Sequence, residues 1–178
     1  AAHTADDYVT SQLLHIVKPH DPATTRFLLG VLGSTLMAWF FRKKFNRLDK
    51  TFPEIRIYEL ASLPIRRAEG GIEDELAALV ETQLGLHRDR RHHGESFVEL
   101  LGENFKLKPI SGKLREWYRH EFGDLLAELA RAGTPLTPGQ QKVWLEAFKT
   151  ERQRLRDLDH RIAATDRRID DLVFDLYG

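Results

Sequence analysis

The chain has 178 residues, with 27 Lys plus Arg, 27 Asp plus Glu and no cysteine. At 42% hydrophobic and 30% charged residues its composition excludes a disordered chain, and the missing cysteine excludes a disulfide frame and thiolate chemistry. The neutral total hides an asymmetry: residues 1–70 carry 10 basic against 7 acidic residues, +3, while residues 71–178 carry 17 against 20, −3.

In chain order, Leu13-Leu14-His15-Ile16-Val17 predicts a short strand ended by Lys18-Pro19, because proline cannot donate to a ladder. Asp21 with Pro22 predicts a helix start, where the missing proline N–H costs nothing. The helix that follows carries Phe27, Leu28, Val31, Leu32, Leu36, Trp39 and Phe40 and is apolar on most sides, which predicts a central position. Its apolar run, Phe27 to Phe41, is short of the ~20 residues that span a bilayer, and Ala1 to Asp7 lack the basic start and apolar core of a signal peptide. No membrane partner and a cytoplasmic location are therefore expected.

The helix runs into Arg42, Lys43, Lys44, Arg47 and Lys50, which against Asp49 amount to +4, more than the whole excess of this half. One concentrated patch of this kind steers a polyanion towards itself. Ile55-Arg56-Ile57 predicts a second strand with Arg56 on the face opposite the isoleucines, and Leu63-Pro64-Ile65 a third extended piece.

Glu69-Gly70-Gly71 marks a boundary, after which the pattern is helical. Ile72, Leu76, Leu79, Val80 and Leu84 form one stripe behind an acidic first turn. Residues 85–95 are polar and predict a helix end and a loop; Phe97 to Phe105 predicts a short helix and Leu114 to Leu129 a longer one. Thr137-Pro138-Gly139-Gln140 is a capping box with proline at the first helical position. Beyond it, positions 144, 148, 151, 155, 158, 162, 165, 169, 172 and 176 advance by fours and threes, and eight of the ten are apolar. One long helix with a narrow seam follows, running antiparallel to the 72–84 stripe, although Thr165-Asp166 could cap a separate last helix.

The expected fold is thus α+β and mostly helical. A small β-containing subdomain at 1–70 precedes a long antiparallel helical arm at 71–178, with a helical insert at about 92–136. Trp39, Trp117, Trp144 and Tyr177 fall on apolar stripes and are expected in the core. His87, Arg88, Arg90, Arg91, His92 and His93 are read as a solvated run, with contact to a nucleic-acid backbone as the lesser alternative. The histidines lack metal-ligand spacing, and no nucleophile–base pair is visible, so neither a metal site nor a catalytic residue is expected.

Five short stretches, taken in order, carry a resemblance. Leu14-His15-Ile16-Val17-Lys18-Pro19 precedes Phe27-Leu28-Leu29-Gly30-Val31-Leu32-Gly33-Ser34; then come Thr51-Phe52-Pro53-Glu54-Ile55-Arg56-Ile57 and Leu60-Ala61-Ser62-Leu63-Pro64-Ile65; Ile169 to Gly178 closes the set. This order resembles the C-terminal target-recognition region of DNA adenine-N6 methyltransferases of the TaqI-like and Eco57I-like restriction–modification type. The resemblance covers about residues 10–90 and 150–178.

It implies double-stranded DNA as partner, with Arg42, Lys43, Lys44, Arg47, Lys50, Arg56 and Lys18 as candidate contacts. It also implies an N-terminal methyltransferase domain in the parent enzyme, which binds S-adenosylmethionine and acts on an extruded adenine. Such enzymes use an Asn-Pro-Pro-Tyr motif. The seven prolines here stand at 19, 22, 53, 64, 109, 135 and 138, so these residues contain no such motif and no cofactor is expected in this chain. The rival expectation is an assembly or specificity-subunit module, in which the 144–176 seam pairs with another chain.

Overall fold

The computed structural model describes residues 17, 21–45, 55–67 and 71–178. Its helices are α1 (Pro22–Gly33), α2 (Thr35–Phe45), α3 (Ile57–Ala61), α4 (Ile72–Phe105), α5 (Gly112–Arg115), α6 (Phe122–Arg131) and α7 (Pro138–Tyr177), with a 3-10 turn at Trp117–Arg119. Helix accounts for 81% of the described residues and none of them is in a strand, which corrects the α+β expectation to an all-α architecture.

The local reasons differ between the expected strands. Arg56 is extended (φ −93°, ψ 149°), but the Glu59 carboxylate accepts its N–H at 2.8 Å and starts α3 at Ile57. The Ile-Arg-Ile alternation is thus a helix cap, and three residues were too few to carry a period of two. Pro64 and Ile65 are not an extended piece: the Ile65 N–H turns back to the Leu63 carbonyl at 3.0 Å, and the Tyr177 hydroxyl donates to the Pro64 carbonyl and accepts the Arg66 N–H at 3.2 Å. Residues 13–16 of the first expected strand lie outside the described residues, and Val17 has no regular structure.

The single helix expected across 22–41 is two helices bent by 61°. Ser34 makes the bend. Its backbone is extended (ψ 153°), its hydroxyl donates to the Val31 carbonyl at 2.7 Å, and it accepts the Met37 N–H at 3.2 Å. One buried serine therefore closes α1 and opens α2, satisfying groups that both helix ends leave without partners. Asp170 of α7 adds a cap by accepting the Thr35 N–H at 2.8 Å. Among the described residues no single helix is long and apolar enough to cross a membrane.

The chain divides into two compact units, residues 1–83 with 164–178, and residues 84–163. In the first, α1 approaches α4 so closely that a Cβ placed on Gly30 would stand 3.0 Å from the side chains of Leu76 and Val80. Arg168 pairs with Glu75 at 2.7 Å and Gln83 bonds Asp166 at 2.6 Å, so α4 and α7 run antiparallel here. In the second unit Phe97, Leu101, Leu107, Leu114, Trp117, Leu125, Leu129, Leu136, Phe148 and Leu155 form one core. Trp117 sits at its centre, 4.1 Å from the Phe97 ring and 5.3 Å from that of Phe148, and its indole N–H finds the Gly94 carbonyl at 3.2 Å.

Two further expectations change. Residues 85–95 are not a loop but the middle of α4, so Phe97 to Phe105 is its last part, not a separate helix. The Leu114–Leu129 helix is broken into α5, the 3-10 turn and α6, where Glu121 opens α6 by donating its N–H to Asp124 at 3.1 Å. The capping box at 137–140 is present, with the Thr137 N–H bound to Gln140 Oε1 at 2.9 Å, and α7 passes residues 163–165 unbroken.

Because a Cβ on Gly30 would meet Leu76 and Val80 while one on Gly33 would have no side chain or other element within 4 Å, the two glycines should respond in opposite ways. Gly30→Val is expected to destabilise the first unit by about 1–3 kcal/mol through overpacking. Gly33→Ala should be neutral or stabilise by up to ~1 kcal/mol, as alanine does in a helix. Urea unfolding followed by circular dichroism measures both; a larger loss for Gly33→Ala would contradict this packing.

Candidate nucleic-acid interface

Of the seven cations singled out in the sequence, Arg42, Lys43, Lys44 and Arg56 are described; Lys18, Arg47 and Lys50 lie outside the described residues. Arg42, Lys43 and Lys44 occupy the last turn of α2, where cations suit the helix dipole. Consecutive helical residues point about 100° apart, so the three fan around the helix end as a collar.

Their surroundings differ. Lys44 is tied down: its ammonium donates to the Ser62 carbonyl at 3.1 Å and lies 5.3 and 5.4 Å from the ring centres of Phe40 and Phe45. It joins α2 to the end of α3. Arg42 folds back to the Ala38 carbonyl at 3.3 Å through Nε. Arg42 and Lys43 are exposed, and neither pairs with a carboxylate among the described residues.

These two cations share a face. Thr35, Ala38, Trp39, Arg42 and Lys43 are all exposed and follow the i, i+3, i+4, i+7, i+8 spacing of one side of a helix, while Met37 is buried on the other. Trp39 is 53% exposed, which corrects its expected place in the core. The signal that could have found it was present: with Ser34 as a helix start, Trp39 falls in register with Arg42 and Lys43. Trp117 is buried as expected.

Arg56 lies at the start of α3, and a rise of ~1.5 Å per residue puts it about 8 Å along that helix from the end that Lys44 holds. It is not on a sheet face. Its guanidinium bonds the Tyr58 hydroxyl at 3.4 Å and lies 6.0 Å from the ring centre, next to exposed Ile55 and Ile57. The turn that presents it is fixed from below by Glu59, whose residue is only 2% exposed.

At the entrance to this segment Asp21 caps α1. Its carboxylate accepts the Thr24 N–H and hydroxyl, each at 2.7 Å, and these bonds, the backbone one foremost, hold its pKa below the ordinary 3.8.

No group of three His, Asp or Glu side chains among the described residues is placed to hold a metal ion. Among the described residues there is no strand, and so no glycine loop between a strand and a helix of the kind that cradles a nucleotide-bearing cofactor.

Residues 1–65, which include this interface, match the family model of the TaqI-like C-terminal specificity domain, in agreement with the resemblance carried by the motifs. No curated protein and no solved structure matches the chain. The remainder has its own family: residues 70–173, more than half of the chain, match a model described as a domain of unknown function (DUF8810). The chain belongs to that family.

The Asp21 cap carries a pH dependence with a definite sign. Because its pKa is lowered in the folded state, the stabilisation is complete above 3.8 and disappears as pH falls through the lowered value. Asp21→Asn, which still caps, should keep the neutral-pH Tm and lose that part of the acid decline. Asp21→Ala should lower the Tm at neutral pH. Thermal melts across an acid series decide it, and an alanine variant that retraces the original Tm–pH curve would show that the cap contributes nothing.

Proposed function

We propose that this chain is the DNA target-recognition portion of a site-specific DNA adenine-N6 methyltransferase of a restriction–modification system of type II, acting in the cytoplasm. In this reading it binds the duplex and positions one adenine for a methyltransferase domain elsewhere in the enzyme, which binds S-adenosylmethionine and transfers the methyl group. The observation that carries the proposal is the coincidence of the 1–65 match with the exposed face of α2, on which a tryptophan precedes two cations that have no carboxylate partner among the described residues.

A division of labour follows from the chemistry. Arg42 and Lys43 suit phosphate contact, which sets register without reading sequence. Arg56 beside Tyr58, and Trp39, have the planar groups that meet base edges and faces. Lys44 has a structural task already, and any DNA contact would be additional.

The assembly reading loses its main support. The α7 seam that would meet another chain is occupied within each unit, with Phe148, Leu155, Leu158, Ile162, Ile169, Leu172 and Leu176 all buried.

Fluorescence anisotropy with labelled duplexes of randomised sequence, titrated over a salt series, tests the proposal. Binding should weaken steeply with salt, and Arg42→Ala with Lys43→Ala should reduce the slope of log K against log salt by up to about 1.8, or ~0.9 per phosphate contact. Trp39→Ala should cost roughly tenfold in affinity and leave that slope unchanged, as loss of a non-ionic contact does. Salt-independent binding, or none, would overturn the assignment.

A further inference from the structure

The 87–93 run, His-Arg-Asp-Arg-Arg-His-His, gathers three arginines and three histidines in seven residues of a half that is net acidic. In α4 the helical period sorts it into two faces. Arg90 and His93 turn towards α7: Arg90 pairs with Asp159 and lies 5.0 Å from the Tyr118 ring centre, and His93 Nδ1 is 3.5 Å from the Glu151 carboxylate. Asp159 also raises the pKa of Arg90 through their hydrogen bond. These two are committed to the fold.

Arg88, Arg91 and His92 stand at i, i+3 and i+4 on another face, and all three are exposed. Neither arginine pairs with a carboxylate among the described residues, and every residue of this unit, 84–163, is described. Other arginines of the same unit, Arg90, Arg119, Arg131, Arg152 and Arg154, are each paired with an acid. Arg115 and Arg156 of the same unit are likewise without a carboxylate pair among the described residues; what sets Arg88 and Arg91 apart is that they stand one turn apart on one helix face, with His92 beside Arg91. Two like charges one turn apart on a helix repel each other, and Glu95, one turn beyond Arg91, makes no ion pair with it, so an anion from outside would relieve the arrangement.

We propose that the Arg88–Arg91–His92 face of α4 is a second DNA-backbone contact, outside the 1–65 match and within the part of the chain whose family has no assigned function. It rests on the DNA-binding reading above and adds a site to it. The contact is to phosphates. It raises affinity for any duplex and carries no sequence information, because the face presents exposed cations without a shaped pocket.

The test uses the full chain and the same labelled duplexes of randomised sequence over a salt series. Three double variants are compared: Arg88→Ala with Arg91→Ala, Arg42→Ala with Lys43→Ala, and Arg115→Ala with Lys142→Ala. The last pair removes the same charge from exposed positions of the same unit that have no carboxylate partner. Circular dichroism verifies that each stays folded, which is expected because alanine is the better helix former.

The expected result is a fall in salt slope of up to about 1.8 for the Arg88/Arg91 variant and little change for the Arg115/Lys142 variant. An equal fall in both would mean that overall charge alone is at work and overturns the proposal. An unchanged slope for Arg88/Arg91 beside a reduced one for Arg42/Lys43 overturns the second site and leaves the first standing. A chain that binds no duplex at all overturns both.

Discussion

The seam on α7 has to be kept from water, and α4 is an element that keeps it dry. Leu158 and Ile162 pack with Leu86 in one unit, and in the other the same two helices are bridged by Arg168–Glu75 and Gln83–Asp166. Burying each Leu or Ile is worth about 1.5–3 kcal/mol, whereas an exposed ion pair is worth at most about 1 kcal/mol. Burial therefore holds the helices together. The polar contacts, including the Arg90–Asp159 ion pair and the approach of His93 to Glu151, choose among the registers that burial would accept.

A helix pair of this kind limits where function can be placed. Cations facing the partner helix are consumed by register, and those on the outer faces remain for other partners. The same sorting acts in α2, where Lys44 is drawn onto Phe40, Phe45 and Ser62 while Arg42 and Lys43 stay outside. In both helices the basic run as written is longer than the basic face as folded.

That difference explains which parts of the structure were legible beforehand. The start of α7 was, because a capping box and a seam of ten positions are both local and periodic. The 85–95 segment was not: it has no apolar stripe of its own beyond Leu86 and reads as solvent, yet it is helical because its flanking turns are anchored and its Arg90 and His93 meet acids on α7. The strand at 55–57 failed for the opposite reason. Its alternation was real, but Glu59, only two residues beyond Ile57, supplied a cap that a three-residue pattern cannot outweigh. The candidate site was legible as a charge excess at 42–50 and illegible as a surface, since Trp39 joins it only once Ser34 breaks the helix.

Ser34 is thus where fold and candidate function meet. Had α1 and α2 been one straight helix, its apolar residues would have required burial on most sides, Trp39 included. The bend lets α1 keep its close approach to α4 at Gly30 while α2 turns one side outward. A hydroxyl can make that bend with little loss because it replaces the backbone partners that both helix ends forgo, donating to Val31 and accepting from Met37. Alanine in its place would leave the Met37 N–H without that acceptor in a buried position, where an unmet polar group costs about 1–3 kcal/mol. The exposure of Trp39, Arg42 and Lys43 as one face therefore depends on a residue that need touch no DNA.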